Sequence, residues 1–185
     1  MEGLYQAIYR ERQPVATGMY NQDKRIGLWR FYDAAGHPMQ TYDYDAKTVI
    51  FEAKEDTTSN FRYLLDNTLG PTDKAHKPIK TGGRYFGYLN YLKLFKLPPE
   101  FATHPEVTLN EVKTTLELLV SPGGRLADIK VNINNGAEDH FIRLKLNLLP
   151  PEDRIFTPAT INGEPVACRI IIRVYITEDD GIDFY

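Results

Sequence analysis

FTPATINGEPVACRIIIRVYIT, residues 156–177, carries the strongest structural signal in the chain. It begins with a turn-rich loop in which Pro158, Asn162-Gly163 and Pro165 restrict the backbone. Strict alternation follows. Val166, Cys168, Ile170, Ile172, Val174 and Ile176 fall on one side, and Arg169, Arg173 and Tyr175 fall on the other together with Ile171. A strand sends successive side chains to opposite faces, so this period of two predicts a half-buried β-strand with an apolar inner face.

Upstream, residues 112–120 alternate in the same way, with Val112, Thr114, Leu116, Leu118 and Val120 on the inner side. Ser121-Pro122-Gly123-Gly124 reverses the chain, because glycine accepts positive φ without steric cost. Ala127, Ile129, Val131 and Ile133 then alternate along a second strand, which Asn134-Asn135-Gly136 ends and caps. From Ala137 to Leu149 the spacing of Phe141, Leu144 and Leu148 predicts an amphipathic helix, stopped by Pro150-Pro151.

The loop pattern F-x-P-A-x-x-N-G-x-P-V before a last strand resembles the C-terminal domain of TonB-type energy transducers. GGRYFGYLNYLKLFKLPPEF, residues 82–101, is similar to the lead-in helix of that family. The resemblance covers roughly residues 80–177 and implies helix, β-hairpin, helix and β-strand around a three-stranded antiparallel sheet. In that family a partner's strand is added near the edge of the last strand. Carried to this chain, Val166–Ile176 is the edge for a protein partner such as an outer-membrane receptor peptide, and Arg169, Ile171, Arg173 and Tyr175 are the partner-binding residues. Such β-augmentation draws its affinity from backbone groups. Edges are usually protected, so pairing with a second copy, a homodimer through strand edges, is the competing expectation.

The N-terminal part repeats at an offset of 24 residues: Gly3-Leu4-Tyr5 returns as Gly27-Leu28-Trp29, and Pro14-Val15 as Pro38-Met39. Gly18, Tyr20, Gly27, Trp29, Phe31, Tyr32, Gly36 and Pro38 resemble the MORN-like repeats of YwqK-type proteins, over residues 3–50; Arg12 stands where the second unit has Gly36. The resemblance implies an antiparallel β-meander whose aromatics pack between hairpins that have no core of their own. Thr48–Phe51 reads as a last strand of that sheet, Phe61–Leu65 as an apolar run of either type, and Gly70–Lys80 as a linker.

Composition sets the limits. Hydrophobic residues at 42% suffice for cores, and charged residues at 25% match ordinary globular domains. A net charge of −3 argues against general nucleic-acid or anionic-membrane binding. No apolar run approaches the roughly 20 residues that span a bilayer, so no transmembrane segment is expected in this chain. No signal-peptide pattern is visible. With the TonB resemblance, this implies a periplasmic or envelope protein of a Gram-negative bacterium whose signal or anchor is absent from this chain; a cytoplasmic protein is the alternative.

Catalytic signals are weak. Cys168 lies on the apolar phase of its strand and reads as a buried small hydrophobe. His37, His76, His104 and His140 are at no metal-ligand spacing. Asp43-Tyr44-Asp45 has the outline of a metal-nucleotide motif but sits where the repeat needs an acidic turn. Glu178–Tyr185 lacks an EF-hand spacing and reads as a solvated acidic tail. Gly82-Gly83-Arg84 lacks the continuation of a phosphate loop.

The sequence therefore predicts an α+β protein with a MORN-like β-meander plus linker over 1–75 and a TonB-like domain over 76–185. The expected function is non-catalytic protein binding, with no catalytic residue, metal or cofactor. The alternative is a scaffold that binds a carbohydrate or lipid headgroup through Tyr5, Trp29 and Tyr32.

Overall fold

The computed structural model describes residues 1–9, 13–55, 58–102, 112–136 and 138–185. Arg12, His104 and Ala137 lie outside the described residues. The chain divides into two compact units, Met1–Asp56 with Lys80–Leu89, and Thr57–Ile79 with Asn90–Tyr185.

The first unit is a five-stranded antiparallel meander: β1 (Gly3–Ile8), β2 (Pro14–Asn21), β3 (Lys24–Tyr32), β4 (Pro38–Asp43) and β5 (Thr48–Glu52), side by side in chain order. Gln22 and Asp23 both take positive φ in the two-residue turn between β2 and β3, which matches the twist of the strands it joins. One face of the sheet buries Ala16, Trp29 and Phe31, flanked by Tyr5, Ala7, Tyr20, Tyr42, Tyr44 and Phe86. The segment Lys80–Leu89 is fastened to this sheet through buried Gln40, which donates from Nε2 to the Lys80 carbonyl at 3.1 Å and accepts from the Gly82 N–H at 2.8 Å. Arg84 adds bonds to the carbonyls of Ala53 and Lys54 at 3.1 and 3.0 Å. A buried amide with both ends paired offsets its desolvation, which would otherwise cost about 1–3 kcal/mol.

The second unit is built on β6 (Phe61–Leu65), β7 (Ala75–His76), β8 (Lys113–Val120), β9 (Leu126–Asn134), β10 (Asp139–Arg143), β11 (Ala159–Ile161), β12 (Glu164–Val166), β13 (Cys168–Ile176) and β14 (Ile182–Phe184). Six of these form one antiparallel sheet in the order β10-β9-β8-β13-β14, with β6 also on β13. The sequence pattern carries the inner face: Leu116, Leu118, Ile129, Val131, Cys168, Ile170, Ile172 and Val174 are all buried, as are Tyr91, Phe95, Leu149 and Phe156. Full burial of an aliphatic side chain of this size stabilises by roughly 1.5–3 kcal/mol.

The expected α+β arrangement does not form. The protein is mostly β, with three antiparallel sheets and no three-stranded TonB-like core between two helices. Helix is confined to short pieces, such as Phe86–Tyr88 running into Leu89–Leu92, and Pro99–Ala102. Where the lead-in helix was expected, the helix ends at Leu92, six residues before Pro98, and Pro99 opens the next short piece. The predicted helix over 137–149 is instead strand β10 followed by 3₁₀ turns at Leu146–Leu148 and Pro151–Arg154. Asp139–Arg143 pairs with Lys130–Asn134, and Asn134-Asn135-Gly136 serves as a hairpin connection in place of a helix cap. The ladder supplies backbone bonds that a short helix, costly to nucleate, would have had to find alone.

The loop 156–166 is a tight hairpin. β11 and β12 pair across Asn162 and Gly163, both at positive φ, and β7 adds a third strand. Asn162 also accepts from the Lys74 N–H at 2.9 Å and donates to Asp73 Oδ1 at 2.7 Å. Residues 73–76, inside the predicted linker, are thus ordered against the loop. Asp73 lies below the usual carboxylate range because of the Asn162 hydrogen bond and a second from the Gly70 N–H.

Candidate functional site

Strand β13 lies inside its sheet. Cys168–Val174 pairs with β8, Cys168–Ile172 pairs with β6 on the other side, and Val174–Ile176 pairs with β14. The Arg173 N–H, between the β6 and β14 pairings, donates to the Asn60 carbonyl at 3.0 Å. The backbone ladder that strand addition needs is therefore filled by the chain's own strands. What β13 presents outward is side chains.

Arg169, Ile171 and Arg173 do come together on one face, the outer face of the six-stranded sheet, and register fixes their neighbours. One row across the strands reads Arg143, Lys130, Glu117, Ile171 and Arg62; the next on one side reads Phe141, Asn132, Thr115 and Arg173; on the other, Asp128, Leu119, Arg169 and Leu64. Tyr175 shares this side of β13 and packs its ring on Tyr185 at 5.4 Å. Glu117 sits at the centre, bridged by Lys130 Nζ at 3.3 Å and Arg169 Nη1 at 3.2 Å. Arg143 reaches Asp128 at 3.8 Å. Asp139 is held below the usual carboxylate range by hydrogen bonds from Asn134 and Asn132.

Cations outnumber carboxylates on this face. Arg62, Lys113, Lys130, Arg143, Arg169 and Arg173 stand against Glu117, Asp128, Asp139 and the buried Asp183, which lies opposite Tyr175, in a chain whose net charge is −3. Among the described residues, Arg62 and Arg173 have no carboxylate within ion-pair distance. Apolar groups are interleaved: Leu64 is 52% exposed and Phe141 55% exposed, with the Lys130 ammonium 4.1 Å from the Phe141 ring centre. Sequence reasoning missed Arg62, Leu64, Lys130 and Phe141 because they sit on β6, β9 and β10. The Asn-Gly pair before β10 was the available signal for a hairpin there.

The second predicted set separates. Trp29 is 0% exposed, boxed by Tyr5 at 5.6 Å, Tyr20 at 5.1 Å, Tyr44 at 5.8 Å and Phe31 at 6.2 Å between ring centres. The Arg25 guanidinium lies over its ring at 4.8 Å and donates to the hydroxyls of Tyr44 and Tyr20 at 2.7 and 3.2 Å. Burial raises the Tyr44 phenol, with Arg25 pulling the other way. Tyr5 and Trp29 are core packing here. Tyr32 stands apart from that cluster and lines a shallow cavity of about 150 Å³ with Gln13, Pro14, Thr17 and Gly36. That is below the volume that encloses a small organic ligand, about 300–1,000 Å³.

Chemistry-bearing residues are dispersed. Cys168 is buried, and burial pushes its thiol up to about 11. His37 pairs with Asp33 at 3.0 Å, His140 meets the Phe101 ring edge-on, and His76 lies on β7. Asp43 Oδ1 accepts from the N–H groups of Asp45 and Ala46 at 2.9 and 3.1 Å, so it caps its own turn. Among the described residues no group of three or more His, Cys, Asp or Glu side chains is placed to hold a metal ion. Glu178–Tyr185 is not a solvated tail: it turns back as β14 with Ile182 and Asp183 buried, and the Asp180 carbonyl accepts from the Leu97 N–H at 2.7 Å. No described helix is long and apolar enough to cross a membrane.

The chain matches no protein-family model, no curated protein and no solved structure.

Proposed function

We propose that this chain is a non-catalytic protein-interaction module that binds an acidic partner segment on the outer face of its six-stranded sheet. The observation that carries the reading is the pair Arg62 and Arg173, exposed and with no carboxylate within ion-pair distance among the described residues, beside Ile171, Leu64 and Phe141. Arginine and aromatic side chains are enriched at protein interfaces, and uncompensated charge selects and steers a partner of the opposite sign. With the β13 ladder filled, the partner is held by side chains and not by an added strand. A setting in the envelope of a Gram-negative cell belongs to the proposal through the resemblance of the loop 156–166 alone.

The test places a photo-crosslinking amino acid at position 171 in living cells. The expected result is a dominant adduct whose linked peptide is acidic, with a yield roughly tenfold lower when Arg62→Glu and Arg173→Glu are added. An equal yield from the charge-reversed protein refutes the proposal.

A further inference from the structure

Lys113, Arg173 and Arg62 form a diagonal stripe on the outer face of the six-stranded sheet. Thr115 is opposite Arg173, and Ile171 is opposite Arg62, so each step of the stripe moves one strand over and two residues along. Diagonal neighbours of this kind lie about 7–8 Å apart, within reach of long side chains. All three residues are exposed, and among the described residues none has a carboxylate within ion-pair distance. Elsewhere on this face the chain supplies the counter-charge: Glu117 takes Lys130 and Arg169, and Asp128 takes Arg143. Asp183, opposite Tyr175 on β14, is buried and accepts from the Phe184 N–H at 2.9 Å.

The geometry points to a phosphorylated side chain of the partner protein as the group bound here, its phosphoryl oxygens held by the guanidinium forks of Arg62 and Arg173 with Lys113 beside them. The inference rests on the acidic-partner reading of this face and names the anion. Like charges placed this close repel one another in the free protein, and an entering anion relieves that repulsion. A carboxylate brings one charge and leaves two of the three cations unbalanced. A phosphoryl group brings nearly two charges and three acceptor oxygens, enough for two forks at once. Arginine matches phosphate oxygens bidentately, which an ammonium does not. Ile171 and exposed Leu64 adjoin Arg62 and offer apolar contact to the residues that flank the modified side chain. The net charge of −3 opposes approach to a strongly anionic membrane, so a protein is favoured over a phosphate-bearing lipid as the carrier.

The test titrates N-acetyl-phosphoserine amide and N-acetyl-glutamate amide into the full chain while NMR follows the Nε–H signals of Arg62 and Arg173. Both signals are expected to move together and saturate with the phosphoserine probe, and the glutamate probe to bind roughly tenfold more weakly. Arg62→Lys with Arg173→Lys keeps both charges and removes both forks, and is expected to weaken the phosphoserine probe roughly tenfold. Equal affinity for the two probes, or an undiminished double lysine variant, overturns the phosphoryl assignment and leaves the acidic-partner reading standing. An adduct from position 171 whose linked peptide is acidic but unphosphorylated does the same. Binding of neither probe overturns it as well, as does capture by phosphatidic acid vesicles of a chain that does not bind the phosphoserine probe. Failure of the acidic-partner reading itself is seen separately, in an unchanged crosslinking yield from the Arg62→Glu, Arg173→Glu protein.

Discussion

Gly18→Ala tests the aromatic core of the meander directly. A methyl group at this buried glycine would sit well inside van der Waals contact with the Cγ, Cδ2 and Cε2 atoms of Trp29. The ring cannot swing away cheaply. Four aromatic side chains and Arg25 surround it, and its Nε1 donates to the Met19 carbonyl at 3.2 Å. Overpacking of this kind typically costs about 1–3 kcal/mol, and the enclosure on every side puts this site at the upper end. About 3 kcal/mol lowers Tm by roughly 10 °C or more in a unit of this size. Trp29 is the only tryptophan, so its emission during urea or heat denaturation follows this unit and not the other. Gly27→Ala is the control: its φ is +58°, yet an added Cβ meets nothing, so only backbone strain of about 1 kcal/mol is expected there. A Gly18→Ala protein with the midpoint and emission of the wild type would refute the packing described here.

Two further outcomes follow from the second unit. Gly124 has φ +70°, and a Cβ there would strike the Phe156 carbonyl, whose own N–H donates to the Gly124 carbonyl at 2.8 Å; Gly124→Ala is expected to cost about 2–4 kcal/mol by urea denaturation followed by circular dichroism. Asp73 contributes stability only above its unfolded titration range and loses it as pH falls through its depressed folded value, so in an NMR titration Asn162→Gly, which removes the hydrogen bond without straining the turn, moves its midpoint upward toward an ordinary aspartate.

The hairpin of β8 and β9 and the inward set Cys168, Ile170, Ile172 and Val174 were legible because alternation is local and burial enforces it. The strands of the meander were legible through their repeated glycines and aromatics. The region 137–149 was not: Phe141 and Leu148 satisfy helical spacing, yet both are exposed, and the five residues of β10 are too few for a period of two to stand out. Residues 61–65 showed only an apolar run, since their partner Cys168–Ile172 lies about a hundred positions away and pairing at that distance leaves no local trace. The same gap hid the surface. Arg169, Ile171 and Arg173 were legible as one stripe, but the rows that make it a basic face depend on register between strands far apart in the chain.

The position of β13 also bears on how the second unit comes into being. Its two long neighbours, β6 and β8, precede it in the chain and are not paired with each other across the gap it fills. While the chain emerges from a ribosome, both present open ladders until residues 168–176 arrive between them. Pairings of such sequence separation are slow to form, because the loops they close must be ordered before the contacts reward it. Completion of the sheet therefore waits on the insertion of that strand, and until then the edges of β6 and β8 that face it are unpaired, the kind of open edge that favours aggregation.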